Sequence, residues 1–304
     1  MKRIDPHVHP RPDIGLVSEL AKEQGIATIL VMPESPSSLL REKDLIEKLL
    51  DVQRKKPAVR CFFYVGLTSN RDQIKEAAEL VRKYPEVVGL KLYHPENEEI
   101  KIFRTLEELG YTGVLAVHAE KASLFKPELF DPKKPWTHNL AQPEKAEIES
   151  VKEVIQFALK TNFRGVLYIC HITLLKSAEM IWQAKKYLDI YSEATPHHLL
   201  LSELQMRGEN GLLLKVNPPL RGRQAGGELL KAVKDGLVDC IGTDYAFHSL
   251  REKLFSPYLS GIANYQLYGT ALDFLREQGV TEKEIEKLTY WNIKKIFGEK
   301  LKDV

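Results

Sequence analysis

His7 and His9 stand two residues apart in I-D-P-H-V-H-P-R (4–11), and in an extended strand that spacing puts both imidazoles on one face. Neutral imidazole nitrogen is a good ligand for zinc and similar ions, so such a face could supply two ligands to one metal. On its own the pair reads equally well as a surface histidine pair. Lys91, His118, His171 and Asp244 are further ligand-type residues, and whether they join the pair depends on the elements that carry them.

The chain's 304 residues suffice for one large α/β domain or two small ones, and a 43% hydrophobic content can fill a sizeable core. With 44 Lys and Arg against 42 Asp and Glu, and no basic run interleaved with aromatics, small-molecule partners are expected rather than nucleic acid. Cys61, Cys170 and Cys240 are scattered and odd in number, which suggests free thiols in a reducing compartment. No apolar signal region precedes the first strand and no apolar run is long enough to span a bilayer, so a cytoplasmic enzyme or binding protein is the expectation.

Hydrophobic periodicity gives alternating strands and helices. After the opening strand come helix 13–25, strand 27–33, helix 39–55, strand 59–67, helix 72–84, strand 87–93, helix 99–109 and strand 113–118. A longer connection through Trp136 and His138 leads to helix 143–160, strand 165–171, helix 174–187 and strand 189–194. An irregular segment, 195–223, precedes helix 227–236 and strand 239–244, and helices 261–278 and 281–297 close or buttress the whole. Eight alternating strands predict a (β/α)8 TIM barrel in a single domain, 1–304. A doubly wound open sheet is the alternative, but no glycine-rich phosphate fingerprint follows the first strand.

In a barrel, reactive groups come from the C-terminal ends of strands. His7 and His9, Lys91, His118, His171 and Asp244 all fall there. If they point into the mouth, their inward neighbours two residues earlier are Asp5, Gly89, Ala116, Ile169 and Gly242, three of them small enough to leave room. Leu90, Leu92, Val117 and Cys170 then pack outward against helices.

The ordered series D-P-H-V-H-P-R (5–11), V-M-P (31–33), G-L-K-L-Y (89–93), V-H-A-E (117–120), C-H-I-T (170–173), E-A-T-P-H-H-L-L-L (193–201), N-P-P-L-R (217–221) and G-T-D-Y-A-F-H (242–248) resembles the dihydroorotases, in the cyclic-amidohydrolase group of the amidohydrolase superfamily. The resemblance implies two zinc ions per chain, one held by His7, His9 and Asp244 and the other by His118 and His171. Lys91 would bridge them once its amine is carboxylated, because a plain ammonium repels a dication. It further implies a water acidified by the two cations that attacks a ring carbonyl, with Asp244 as the catalytic proton shuttle, in the reversible cyclisation of N-carbamoyl-L-aspartate to dihydroorotate in pyrimidine biosynthesis.

Arg11 is the natural clamp for a substrate carboxylate, its flanking prolines favouring an extended backbone near the parity of the histidines. By resemblance His248 contacts the same carboxylate, although Phe247 stands where the family usually has proline. Asn217 lies in a loop expected to line the pocket. Glu34 replaces the family's asparagine after M-P; ionised and inward it would repel a dianion unless paired with a cation such as Arg11. The loop after Lys91 lacks the threonine-rich stretch of one dihydroorotase branch, and the chain carries no β-sandwich segments of the kind many relatives have. His94 and His138 are expected as loop and surface residues, His197 and His198 as donors shaping a loop.

Two other functions compete with dihydroorotase. A hydantoinase- or allantoinase-like enzyme would accommodate Glu34, and a non-catalytic dihydroorotase-like partner subunit would not need the full ligand set. The resemblance leaves room for a homodimer and for association with other pyrimidine-pathway enzymes.

Overall fold

The computed structural model describes residues 2–33, 39–94 and 99–304. Nine strands, β1 (Arg3–His9), β2 (Ile26–Val31), β3 (Arg60–Gly66), β4 (Val87–Tyr93), β5 (Val114–His118), β6 (Val166–Ile169), β7 (Ile190–Ala194), β8 (Cys240–Ile241) and β9 (Tyr245–Ala246), pair in the order β8-β7-β6-β5-β4-β3-β2-β1-β9. The β1–β9 and β7–β8 pairings are parallel, as are those between. Because β8 and β9 are consecutive pieces of one stretch separated only by Gly242, Thr243 and Asp244, the two ends of the sheet meet and the barrel closes. The fold is the expected (β/α)8 barrel, with its eighth strand in two pieces.

Asp5 holds that seam. Its Oδ1 accepts from the Thr243 amide at 2.9 Å and its Oδ2 from Thr243 Oγ1 at 2.6 Å and Tyr265 Oη at 3.1 Å. The Asp244 amide then reaches His7 O at 2.9 Å, and the Gly242 amide reaches Ala194 O at 3.1 Å. A side chain on Gly242 would come within 2.5 Å of Glu193 Oε2, so the glycine is what admits that carboxylate beneath the mouth.

Helices wrap the sheet through one apolar layer that includes Leu90, Leu92 and Val117, as their outward parity requires. A second core fills the barrel, where Ile4, Tyr64 and Tyr168 meet Ile293, Ile296 and Phe297 of the C-terminal helix Asn292–Phe297. The Phe297 ring stands edge-on to Tyr64 and Tyr168 at 5.9 and 5.8 Å, plugging the end away from the mouth.

Several boundaries differ from the sequence pattern, among them the helix expected from 261, which begins at Gln266, and the one expected over 281–297, which is broken into three pieces. The helix expected from 39 begins at Glu42 and the one expected from 227 begins at Arg223. Strand β6 stops at Ile169, and His171 takes a left-handed backbone with φ 35°. The irregular 195–223 segment contains a helical turn, Pro196–Leu200, capped by Thr195 Oγ1. Among the described residues no helix is long and apolar enough to cross a membrane.

Candidate metal centre

A cavity of about 260 Å³ opens at the C-terminal ends of the strands, lined by His7, His9, Arg11, Lys91, His118, His171, Asn217 and Asp244 among others. Strand β1 presents the two histidines to Asp244, whose Oδ1 lies 3.1 Å from His7 Nε2 and 3.4 Å from His9 Nε2. The His171 ring is 5.2 Å from that of His7 and 4.4 Å from that of His118. Burial opposes ionisation of Asp244, but His7 and His9 beside it outweigh that and hold its carboxyl well below the usual range. His7 is likewise disfavoured as a cation by burial, yet Glu193 and Asp244 raise it well above the ordinary imidazole value.

Each histidine keeps one nitrogen for an incoming ligand. His7 Nδ1 is taken by Glu193 Oε1 at 2.9 Å, and His118 Nε2 by Glu120 Oε2 at 2.8 Å. These are the carboxylate–histidine pairings that orient metal-binding imidazoles and fix their tautomers. His9 Nδ1 and His171 Nδ1 are buried with no hydrogen-bond partner among the described residues. Lys91 is wholly buried, and the acceptor beside its Nζ is the Cys170 thiol at 2.9 Å, with no carboxylate paired to it among the described residues. An ammonium there has no counter-ion among the described residues, whereas a carbamate on the same nitrogen is an anion suited to two cations. The donor set therefore fits a divalent-metal centre. Ligand atoms of His7, His171 and Asp244 lie within 4.8 Å of one another, as do those of His94, His118 and Glu120 and of His7, Cys170 and Glu193.

The expectations for Cys170, Ile169 and His138 are corrected. Cys170 faces the barrel interior beside Lys91, not the helices, while Ile169 faces out; strand parity holds through β6, and the left-handed His171 then turns its ring into the mouth. His94 lies in the loop after β4, as expected, and from there contributes to the site. It takes φ 45°, lines the cavity and sets its ring 4.3 Å from His118, and burial with the neighbouring His118 pushes it down to about 4. His138 is buried rather than surface-exposed, and joins the 217 loop.

The remaining candidates differ in placement. Arg11 does not continue the extended strand, since its amide turns back to His9 O at 2.8 Å, but it still lines the cavity, and its Nε is buried without a partner among the described residues. His248 is half-buried against Gly261, where an added Cβ would come 2.9 Å from its ring. Burial, Arg11 and Lys253 push His248 down to about 4. Phe247 is turned outward and Ala246 lines the cavity instead. Glu34 lies outside the described residues.

No protein-family model matches the chain. Among curated proteins it is 29% identical over 261 residues to a dihydroorotase of Lactobacillus helveticus, covering 82% of this chain and 61% of that protein. It is also 29% identical to the dihydroorotase of Methanosphaera stadtmanae, over 97% of this chain and 70% of that protein. The chain is a homologue of the dihydroorotases. It spans about three fifths of the length of the first of these relatives. Its barrel is shared with solved structures of a D-hydantoinase (TM-score 0.81, 21% identity, covering 97% of this chain and 71% of that one) and of a Campylobacter jejuni dihydroorotase (TM-score 0.73, 18% identity, 97% and 82%).

In this dihydroorotase homologue the cavity rests on Glu193 and Arg221, which single motifs did not flag, and on His198, expected as a loop-shaping donor. Glu193, in E-A-T-P-H-H, accepts from His7, from the His171 amide at 3.0 Å and from Tyr168 Oη. Arg221, in N-P-P-L-R, is buried behind the wall, donating to Thr173 Oγ1, Asn139 Oδ1 and Gln142 O. His198 shapes the same wall, its Nε2 2.9 Å from Pro218 O and its Nδ1 2.7 Å from Thr195 Oγ1. All three sat in the family-like motifs, but their service as supports depends on partners far away in sequence.

Proposed function

We propose that this chain is a metal-dependent dihydroorotase, catalysing the reversible cyclisation of N-carbamoyl-L-aspartate to dihydroorotate. The observation that carries this reading is the convergence of His7, His9, Lys91, His118, His171 and Asp244 on one cavity whose wall also holds Arg11, with its Nε buried and without a hydrogen-bond partner among the described residues. His7, His9 and Asp244 would hold one zinc ion, His118 and His171 the other, and a carboxylated Lys91 both; imidazole and carboxylate donors suit zinc. Bound there, the cations would supply Lewis acidity toward a ring carbonyl and acidify water toward neutrality.

The chain's own groups do the rest. Asp244, ionised and at the centre of the donor ring, takes up a proton at a carboxylate oxygen as the amide bond is attacked and returns it to the departing ring nitrogen. In the direction of ring closure the same oxygen removes that proton from the carbamoyl nitrogen. Arg11 receives the substrate carboxylate through its guanidinium fork, with His248 beside it and Asn217 in the wall of the same cavity. Glu193 and Glu120 keep His7 and His118 in fixed tautomers during the proton movements.

The acid at position 34, where the resembled family has an asparagine, supports a second reading, a hydantoinase-like enzyme acting on a neutral cyclic imide. The experiment that tests both is the zinc-to-protein ratio measured together with ring opening of dihydroorotate, hydantoin and allantoin. About two zinc ions per chain and turnover of dihydroorotate are expected. Turnover of a neutral ring alone would overturn the first reading, and a chain without metal and without turnover would fit a non-catalytic partner subunit.

A further inference from the structure

His138 opens the short helix His138–Ala141, in the connection that leaves β5, and its ring is only 3% exposed. Its Nε2 lies 3.1 Å from Val216 O and 2.8 Å from the Asn217 side chain. A backbone carbonyl can only accept, so Nε2 must carry the hydrogen. That hydrogen in turn decides which end of the Asn217 amide faces it. With the amide reversed, two N–H groups would point at each other, so the atom at 2.8 Å is Oδ1 and the NH2 group lies on the far side. Asn217 lines the cavity, and its Nδ2 has no hydrogen-bond partner among the described residues. Burial, reinforced by the Lys215 ammonium nearby, pushes His138 down to about 3, so the ring is neutral across the physiological range and keeps one fixed tautomer. Phe130 stands edge-on to it at 5.7 Å and fixes its plane.

We propose that His138 is a positioning residue for substrate recognition: by donating from Nε2 to Asn217 Oδ1, it turns both Asn217 N–H donors toward the cavity. This rests on the proposed reaction only in taking the cavity as the substrate site. The consequence is chemical. The part of the cavity wall that holds Asn217 is set to meet an oxygen acceptor, a ring carbonyl or a carboxylate, and rejects a substrate that offers an N–H there, since two donors would be left facing each other.

The test is a set of variants, His138→Phe, His138→Gln, Asn217→Ala and the pair His138→Phe with Asn217→Ala, with zinc content and melting temperature measured alongside. Loss of one buried donor pairing predicts that His138→Phe raises KM about tenfold while kcat stays within about threefold. His138→Gln, whose amide can donate in the same place, recovers most of that loss, and His138→Phe adds nothing further in the Asn217→Ala background. An unchanged KM in His138→Phe, or effects that simply add in the double variant, would overturn the inference. A readout independent of turnover is the histidine tautomer by 15N NMR at neutral pH, where His138 should carry its proton on Nε2. A proton on Nδ1 overturns the inference whatever the enzyme does. Wild-type protein that opens no cyclic amide would instead overturn the proposed reaction, and the two failures are thereby distinct.

Discussion

Lys91 is the residue whose setting is hardest to reconcile with its unmodified chemistry. A fully buried amine whose neighbour is a thiol carries a desolvation cost that no counter-ion among the described residues offsets, and conversion to a carbamate would turn that cost into a metal-binding charge. Lys91→Ala is therefore expected to lose at least one of two bound zinc ions, with short carboxylic acids in excess restoring part of both metal content and turnover; unchanged metal content would remove Lys91 from the centre. Arg11 makes a different kind of prediction. Its unpartnered Nε and its place in the wall suit it to ground-state binding, so Arg11→Ala should raise KM by about 10- to 100-fold with a smaller change in kcat. A fall in kcat alone, read from steady-state kinetics, would assign it another role.

At the level of elements, the mouth is assembled by loops that are clipped together from behind. Lys253, in the helix Leu250–Leu254, is 4% exposed and donates to Lys215 O at 2.8 Å and Gly261 O at 2.6 Å, tying two cavity-lining loops. Burial, with Lys215 nearby, pushes it down to about 7 from the usual lysine value. The unfolded chain then binds this proton over pH 7 to 10.5 while the folded chain does not, so the group's contribution to stability rises with pH across that window. Wild type should accordingly gain on Lys253→Met between pH 7 and pH 10 in denaturant titrations, and a difference that is flat or shrinks would contradict the lowered value. Period-two parity located Leu90, Leu92, Val117 and Lys91 from the sequence, because a regular strand fixes which way each side chain faces. It misplaced Cys170 and could not foresee the aim of His171, because the turn that redirects this histidine is a single left-handed residue after β6. His94 and His138 were illegible for a related reason. Their burial is conferred by residues 24 to 79 positions away, such as His118 and Asn217, and no local pattern encodes such a meeting.

Taken as a whole, the molecule is a barrel stoppered at one end and reactive at the other. The stopper, Phe297 with Ile293 and Ile296, packs against Ile4, Tyr64 and Tyr168 and does not line the mouth cavity, so Phe297→Ala should cost about 3–5 kcal/mol of stability by the cavity it leaves while KM for substrate is retained below the melting temperature. Parallel loss of KM and stability would mean that the two ends are coupled. The eight-strand rhythm was readable because each strand is a short apolar run set between amphipathic helices. The division of the eighth strand was not, since Gly242, Thr243 and Asp244 look like the end of an ordinary strand until β1 is beside them. That division has a consequence for how the chain matures. Thr243 and Asp244, which fasten the last strand to the first, also deliver the Asp244 carboxylate to the histidines of β1, so the centre cannot be assembled piecemeal along the growing chain. A nascent polypeptide still short of residue 244 holds five of the six proposed ligands and would have no finished grip on a cation: acquiring a metal and shutting the ring would be one event, after residue 244 has been added.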